Sequence, residues 1–430
     1  MSIEKTTIIK TVPDAWCAMK GAPLLIFLVC LMGWTLTNMD QSLFAFAIPA
    51  ILSEFDERLE TVGWILSLSY IVASFTAVAF GLLADRYGRK VVFVSTMAGS
   101  ALLVGAHALV TDVTMLAILR TAGFAVSVGL APIAITYTTE AAPARLRGLM
   151  TGFLGAGFPL GWFLAAMIAA PLMGLYGWRS TFLPALIVVP LALLLVRYLP
   201  ESDLYKRSMS DSGQGRGVDN MPWTKRFLEL FSPAFRKRTL LSSTCYFMVG
   251  GAYAGTAFYF PTYFNEVRGY SQQTATLVVG VSYGIGILGY IGSSVVGEFF
   301  WTRRNTVSLW LVLGAAAMAG LIWVPTTLAG DVAWFSIMAA FFYGSNATLA
   351  TFVSELFPTR LRATGVSVCV ILGLNLGHIA FPPLVAIAVG PLGWQWAFAF
   401  ATIPALLIGS AALLGIENIE SGLDLDEIAS

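Results

Sequence analysis

Asp40 is a carboxylate inside an otherwise apolar run that extends from Pro23 to Leu52. Its neighbours are Trp34-Thr-Leu-Thr-Asn-Met-Asp40-Gln-Ser-Leu-Phe44. An ionised carboxylate at bilayer depth costs several kcal/mol, so it must face a cavity, hold a partner or carry a proton. Burial favours the neutral acid, which makes Asp40 the first candidate for a proton-coupling group. At helical spacing Thr37, Asp40, Gln41 and Phe44 share one face, a polar stripe with an aromatic end that suits a cavity wall. The rival reading is a structural Asp tied to a hydroxyl or Asn on a neighbouring helix. Arg120 lies within a second apolar run. A guanidinium stays charged and grips carboxylates bidentately, so Arg120 is a candidate to capture an anionic substrate or to act as the charge partner that resets Asp40. The plainer alternative is an arginine that snorkels to the outer surface.

Further along the chain, Asn375 and His378 are spaced i, i+3, as are Tyr343 and Asn346, and Tyr246 and Tyr253 stand on one run. They are candidate hydrogen-bonding contacts for a polar substrate in an apolar pocket, with interhelical packing as the alternative for each. His378 could also titrate.

These residues need membrane helices to hold them. The 430-residue chain is 57% hydrophobic and 11% charged, where a soluble domain carries about 25% charge. The apolar segments do not alternate as outer-membrane strands do. About twenty apolar residues cross a bilayer. Twelve such runs are read at 23–52, 62–84, 91–110, 113–137, 148–171, 178–199, 240–264, 273–300, 306–325, 332–354, 364–388 and 393–416. The polar, basic stretch from Glu201 to Thr239 reads as a linker between an N-terminal half, 1–200, and a C-terminal half, 240–430. Basic residues crowd one set of loops (Lys5, Lys10, Lys20, Arg86, Arg89, Lys90, Arg145, Arg147, Arg303, Arg304, Arg360, Arg362) and spare the other (Arg58, Arg179, Arg268). That asymmetry puts both termini in the cytoplasm. The first run is too long for a signal-peptide core. Cys17, Cys30, Cys245 and Cys369 are scattered and fit neither a disulfide framework nor a metal site, and two histidines are too few for a zinc centre. No Walker loop occurs, and no basic block with a stacking platform suggests nucleic acid. No cofactor is expected. An intramembrane enzyme is disfavoured because no Ser-Lys, His-Glu-x-x-His or paired-Asp constellation is present.

The sequence also repeats. Glu140-Ala-Ala-Pro143-Ala-Arg145-Leu-Arg147 recurs as Glu355-Leu-Phe-Pro358-Thr-Arg360-Leu-Arg362, offset by 215, half the chain length. Phe46-Ala-Ile-Pro49 pairs with Phe258-Tyr-Phe-Pro261, each followed by an acid, Glu54 and Glu266. Parallel six-helix repeats are one known transporter plan, with the substrate between them at the midplane.

Gly81-Leu-Leu-Ala-Asp85-Arg86-Tyr-Gly88-Arg89-Lys90 resembles the signature loop of the major facilitator superfamily, and the Glu-x-x-Pro-x-Arg-x-Arg copies resemble its second hallmark. Pro200-Glu201-Ser202 and the Gly422-Leu-Asp-Leu-Asp-Glu-Ile tail are similar as well. Within the superfamily, Asp40 followed by Pro49 is most similar to the aromatic-acid and metabolite proton symporters. The resemblance implies an all-α membrane protein of twelve transmembrane helices in two pseudo-symmetric six-helix halves, and a monomer. It implies a cytoplasmic latch between the halves built from Asp85, Arg86, Gly88, Arg89, Glu140, Arg145, Arg147, Glu355, Arg360 and Arg362. The second-half loop, Gly297-Glu-Phe-Phe-Trp301-Thr-Arg303-Arg304, lacks the Asp and reads as degenerate.

The expected function is an inner-membrane proton symporter for a small organic anion, such as an aromatic or other monocarboxylic acid. Asp40 is to carry the proton. Arg120, Gln41, Thr37, Tyr246, Tyr253, Tyr343, Asn346, Asn375 and His378 are to meet the substrate. A proton-coupled sugar or drug antiporter and a membrane sensor that moves nothing are the rival readings.

Overall fold

The structure is a computed structural model, and it describes residues 20–142, 147–201, 223–325 and 327–418. Every described element is helical. Helices α1 (Ala22–Phe55), α2 (Leu59–Tyr87) and α3 (Arg89–Ala106) follow one another through short turns. Gly88 joins α2 to α3 at φ 99°, a left-handed conformation that a side chain would strain. Helices α4 (Val113–Ser127) and α5 (Leu130–Ala141) are separated only by a turn at Val128 and Gly129. After α6 (Arg147–Gly155) and α7 (Gly157–Tyr176), a 3₁₀ stretch, Trp178–Ile187, leads into α8 (Val188–Tyr198). The second half of the chain brings α9 (Trp223–Glu229), α10 (Arg236–Thr256), α11 (Phe260–Glu266), α12 (Gln272–Val295) and α13 (Arg303–Trp323). It ends with α14 (Leu328–Met338), α15 (Ser345–Glu355), α16 (Thr359–Cys369) and α17 (Leu376–Leu414). Three π turns interrupt this half, at Val296–Phe300, Ala339–Tyr343 and Val370–Asn375.

Ten helical stretches among the described residues are long and apolar enough to cross a membrane. Two features separate this number from the twelve runs expected. The last stretch, Thr364–Leu414, covers the two runs 364–388 and 393–416, with a break at Gly393, where φ is 76°. The run 240–264 corresponds to α10 and α11. Helix α10 opens on Arg236, Lys237 and Arg238 and carries Ser242, Ser243 and Thr244, which lower its hydropathy. Part of the stretch 201–239 is helical. Residues Trp223–Glu229 are helical and α10 begins at Arg236, because the basic cluster there is compatible with a helix end as well as with a loop.

Small residues set the helix spacing, as packing without a hydrophobic driving force requires. A methyl on Gly161 of α7 would come within 2.6 Å of the Thr35 carbonyl oxygen on α1. One on Gly377 of α17 would come within 2.4 Å of the Phe247 carbonyl oxygen on α10. At the end opposite the basic loops, two matching staples appear. Trp178 Nε1 donates to Glu54 at 2.7 Å, and Trp394 Nε1 donates to Glu266 at 2.8 Å. Each follows a Gly of positive φ, Gly177 and Gly393, and each ties the end of a Phe-x-x-Pro helix to a later one. A hydrogen bond to a charged group contributes about 1.5–3 kcal/mol. Trp394→Phe keeps the ring and removes the donor, so it should lower the melting temperature of the purified protein. An unchanged melting temperature would show the staple to be energetically idle.

Candidate functional site

Helix α4 carries Arg120 as its eighth residue, counted from Val113, and turns it inward. The side chain is 1% exposed, which excludes the snorkelling alternative. Its Nη1 lies 3.4 Å from Asp40 Oδ1, and Ser127 Oγ donates to Asp40 Oδ2 at 3.2 Å. Asp40 is 2% exposed. The guanidinium lies over Phe44 at 4.5 Å and Phe124 at 5.1 Å. Ring faces of this kind contribute about 2 kcal/mol or more when desolvated. They offset only part of the cost of burying a charge, and the 3.4 Å contact is loose for an ion pair, so the pair is not optimised as a permanent bridge. Arg120 Nε and Nη2 have no acceptor. Two charged donors are therefore left open beside a single weak contact. A carboxylate from outside the protein could take both.

The polar stripe expected on α1 is partly spent on packing. Thr37 Oγ1 donates to Gly33 O and Ser127 O, at 3.1 and 3.2 Å. Gln41 Oε1 accepts from the Tyr70 hydroxyl at 3.1 Å. Tyr70 in turn lies 4.7 Å from the His378 ring and 4.9 Å from Phe124. His378 is half-buried and lies 5.7 Å from Tyr253, and it makes no hydrogen bond among the described residues. Asp40, Arg120, Gln41, His378, Tyr253 and Tyr343 thus gather around one centre.

An aromatic wall closes that centre. Trp162 stacks on Tyr283 at 4.6 Å, and Tyr283 stacks on Tyr343 at 5.0 Å. Phe158 contacts Tyr253, Tyr283, Tyr290 and Tyr343. Trp162 Nε1 and the hydroxyls of Tyr253, Tyr283 and Tyr343 are buried with no hydrogen bond of normal geometry, although Trp162 lies beside Tyr253 and Tyr283 beside Tyr343. Polar tips set among stacked rings can meet the oxygens of an aromatic ligand as well as one another. Sequence reasoning missed Tyr70, Ser127, Phe158, Trp162, Tyr283 and Tyr290. The only sequence signal was the density of aromatic residues on the inner spans, which cannot say which rings meet.

The remaining substrate candidates sit differently. Tyr246 packs against Gly373 at the contact between α10 and the π turn Val370–Asn375, away from the rings. Asn346 of α15 donates to Tyr343 O, at the end of the preceding π turn, at 3.3 Å. Asn375 is half-buried at the end of that π turn, and Tyr343 ends another. Such turns often re-aim side chains at functional sites.

At the basic end, Arg89 pairs with Glu140 at 3.1 Å and Arg303 pairs with Glu355 at 2.6 Å. Arg303 also contacts Glu298. Each of these pairs lies within one half of the chain. In the second-half loop, which lacks the Asp at the matching position, Glu298 is a carboxylate partner of Arg303 from a different place in the loop. Glu201 accepts from the Arg89 and Lys90 backbone N–H groups at 3.0 and 3.2 Å, tying the end of α8 to the loop. Arg86 lies 5.3 Å over Tyr87. Arg362 is half-buried near Glu355. Arg145 lies outside the described residues, as do the side chains of Asp85, Arg147 and Arg360.

Residues 24–372 match the family described as the Major Facilitator Superfamily. The niacin transporter NiaP of Acinetobacter baylyi is 26% identical over 413 residues, covering 90% of this chain and 92% of that protein. The 4-hydroxybenzoate transporter PcaK of Pseudomonas putida is 28% identical, covering 93% of this chain and 92% of its own. The gallate transporter of Pseudomonas putida is 29% identical, covering 92% and 91%. Among solved structures, a bacterial homolog of the human lysosomal transporter Spinster, inward-facing and unoccupied, superposes with a TM-score of 0.69 at 16% identity. That similarity covers 92% of this chain and 95% of the other, and it is one of fold. With more than half its length matched by one family and relatives that are transporters along nearly their whole sequence, this chain belongs to the Major Facilitator Superfamily and is a transporter, not an enzyme.

Proposed function

We propose that the protein is a proton-coupled symporter that imports a small aromatic or other monocarboxylic acid by alternating access. Twelve spans would form two six-helix halves, 1–200 and 240–430, in a cytoplasmic membrane with both termini inside, working as a monomer. The observation that carries the reading is the loose Asp40–Arg120 contact, with two guanidinium nitrogens lacking an acceptor, beside a wall of rings. Aromatic-acid transport by the relatives supports the substrate class.

The coupling follows from competition for one guanidinium. Without substrate, Arg120 holds Asp40 as a carboxylate. A substrate carboxylate that takes Arg120 leaves Asp40 buried without a cation, and a buried carboxylate without a cation takes up a proton. Anion and proton therefore bind together, and each favours the other by the same factor. The rings Trp162, Tyr283 and Tyr343 would stack on the substrate ring, and their polar tips would meet its oxygens.

The close contacts between the halves lie at the end opposite the basic loops, which supports an arrangement shut on the outside. There Gln272 Nε2 donates to Phe46 O at 3.1 Å and Ser67 Oγ to Ile379 O at 2.5 Å. A methyl on Gly280 would come within 2.0 Å of Ala166 Cβ. Gly280→Leu should therefore hold the outer side open. Counterflow should fall at least about tenfold, a loss of about 1.4 kcal/mol or more in the closing equilibrium. A cysteine at Gln273 should become more reactive to an impermeant maleimide. Unchanged counterflow would remove this contact from the cycle.

The test of the function itself is uptake of radiolabelled 4-hydroxybenzoate and nicotinate into proteoliposomes with an inside-alkaline pH gradient. Accumulation above equilibrium is expected for a symporter. Efflux driven by the opposite gradient would indicate an antiporter, and binding without counterflow a sensor.

A further inference from the structure

Ser67 of α2 makes a hydrogen bond that neither half of the chain can make alone. Its Oγ donates to the Ile379 carbonyl oxygen of α17 at 2.5 Å, 312 positions along the sequence. That acceptor is open for a covalent reason. In an α-helix each carbonyl is met by the N–H four residues on. For Ile379 that residue is Pro383, which has no N–H and whose ring crowds the carbonyl. Other hydroxyls of α2 are spent at home. Ser69 donates to Ile65 O at 2.7 Å and Ser74 to Tyr70 O at 2.8 Å, each four residues back on the same helix. Ser67 is 4% exposed and reaches across instead.

The bond is the middle of a longer contact. Gly63, Ser67 and Tyr70 are spaced i, i+4, i+7 and share one face of α2. A methyl on Gly63 would come within 2.8 Å of Pro383 Cα. The Tyr70 ring lies 4.7 Å from the His378 ring, and its hydroxyl donates to Gln41 at 3.1 Å. Ser67 therefore stands one turn outward from the ring that reaches the substrate centre. When the outer side opens, Ile379 O parts from Ser67 and faces the opened vestibule, where water can donate to it. When the outer side shuts, the carbonyl is buried and needs a donor from the protein. The hydroxyl stabilises one arrangement of the halves only.

We propose that Ser67 is a positioning residue of the transport cycle. Its hydroxyl caps the carbonyl that Pro383 leaves open, does so only while the outer side is shut, and thereby sets the balance between shut and open. This rests on the alternating-access reading above and is independent of the proton step.

Spin labels at Arg58→Cys and Leu392→Cys, on the exposed outer ends of the two halves, report their separation by double electron–electron resonance. The four native cysteines are changed to alanine in the full-length protein. Ser67→Ala should raise the ratio of wide to narrow separations by about tenfold, because the shut arrangement alone then holds a buried carbonyl without a donor. Ser69→Ala should keep the parental ratio, because its partners Ile65 and Thr121 lie in the same half and move with it. Pro383→Ala restores an N–H at position 383 and gives Ile379 O a donor in both arrangements. Adding Ser67→Ala to Pro383→Ala should then change the ratio by less than about twofold, a non-additivity that a merely structural serine would not show. A parental ratio in Ser67→Ala, an equal shift in Ser69→Ala, or an undiminished shift on top of Pro383→Ala would overturn the proposal. Failure of the reading beneath it looks different: a parent that gives no counterflow of 4-hydroxybenzoate and a single separation with and without that acid has no alternating access for the bond to bias.

Discussion

Asp40→Asn is expected to abolish proton-driven accumulation while leaving substrate counterflow intact. The substitution is nearly isosteric: the amide oxygen can still accept from Arg120, whose contact with Asp40 is 3.4 Å, while the amide NH2 can donate to Ser127 Oγ, which now donates to Asp40 at 3.2 Å. What disappears is the charge that competes for the guanidinium. Three consequences follow in order. First, the buried Arg120 loses its counter-charge. Removing one partner of a buried pair costs about 3–5 kcal/mol, at the lower end here because the contact is loose and the amide partly replaces it. The empty variant should melt at a lower temperature. Second, a substrate carboxylate no longer has to displace Asp40, so anion affinity above neutral pH should rise. Third, substrate should raise the melting temperature of the variant by more than it raises that of the parent, since ligand stabilisation grows with affinity. Accumulation ratios in proteoliposomes, with and without a pH gradient, check the first claim. Accumulation at parental levels removes Asp40 from the coupling mechanism.

Arg120→Lys is expected to weaken binding of the anion by about 10- to 100-fold, or about 1.4–2.8 kcal/mol, with much less effect on a neutral amide analogue. Lysine keeps the charge but offers a compact ammonium in place of the planar fork. It cannot hold Asp40 through one nitrogen and offer two more to a ligand, as Arg120 does with Nη1 engaged and Nε and Nη2 open. It also loses the stacking on Phe44 and Phe124, at 4.5 and 5.1 Å. Isothermal titration with an aromatic acid and its amide separates the two contributions. Equal weakening of both ligands would assign Arg120 to the scaffold.

The chemistry-bearing pair was legible because charge in an apolar run has few explanations. Asp40 and Arg120 were both picked out by that rule, and the fold brings them into contact across 80 positions of sequence. The apolar runs and the basic loops were legible for the same reason, since they report solvent directly. Where the pattern was weaker, boundaries moved: α10 starts at Arg236, inside the basic cluster that had read as linker. The aromatic wall was not legible. A Trp or Tyr in a membrane span suits lipid, a helix interface or a ligand equally well, and only the fold sets Trp162 against Tyr283. The π turns at Ala339–Tyr343 and Val370–Asn375 were equally hidden, since no residue type announces an i→i+5 bond. Pairing inside the basic loops was not legible either: Arg303 reaches Glu355 at 2.6 Å across 52 positions of sequence, which no local spacing announces.

The competition between two carboxylates for one guanidinium is tested most directly by counting protons. Purified protein in weak buffer is mixed with an aromatic acid, and the pH change is read with an indicator dye. Parent protein should take up close to one proton per anion bound at neutral pH, and the Asp40→Asn protein should take up roughly none. Binding by the parent with no proton uptake, or equal uptake by the two proteins, would contradict the coupling.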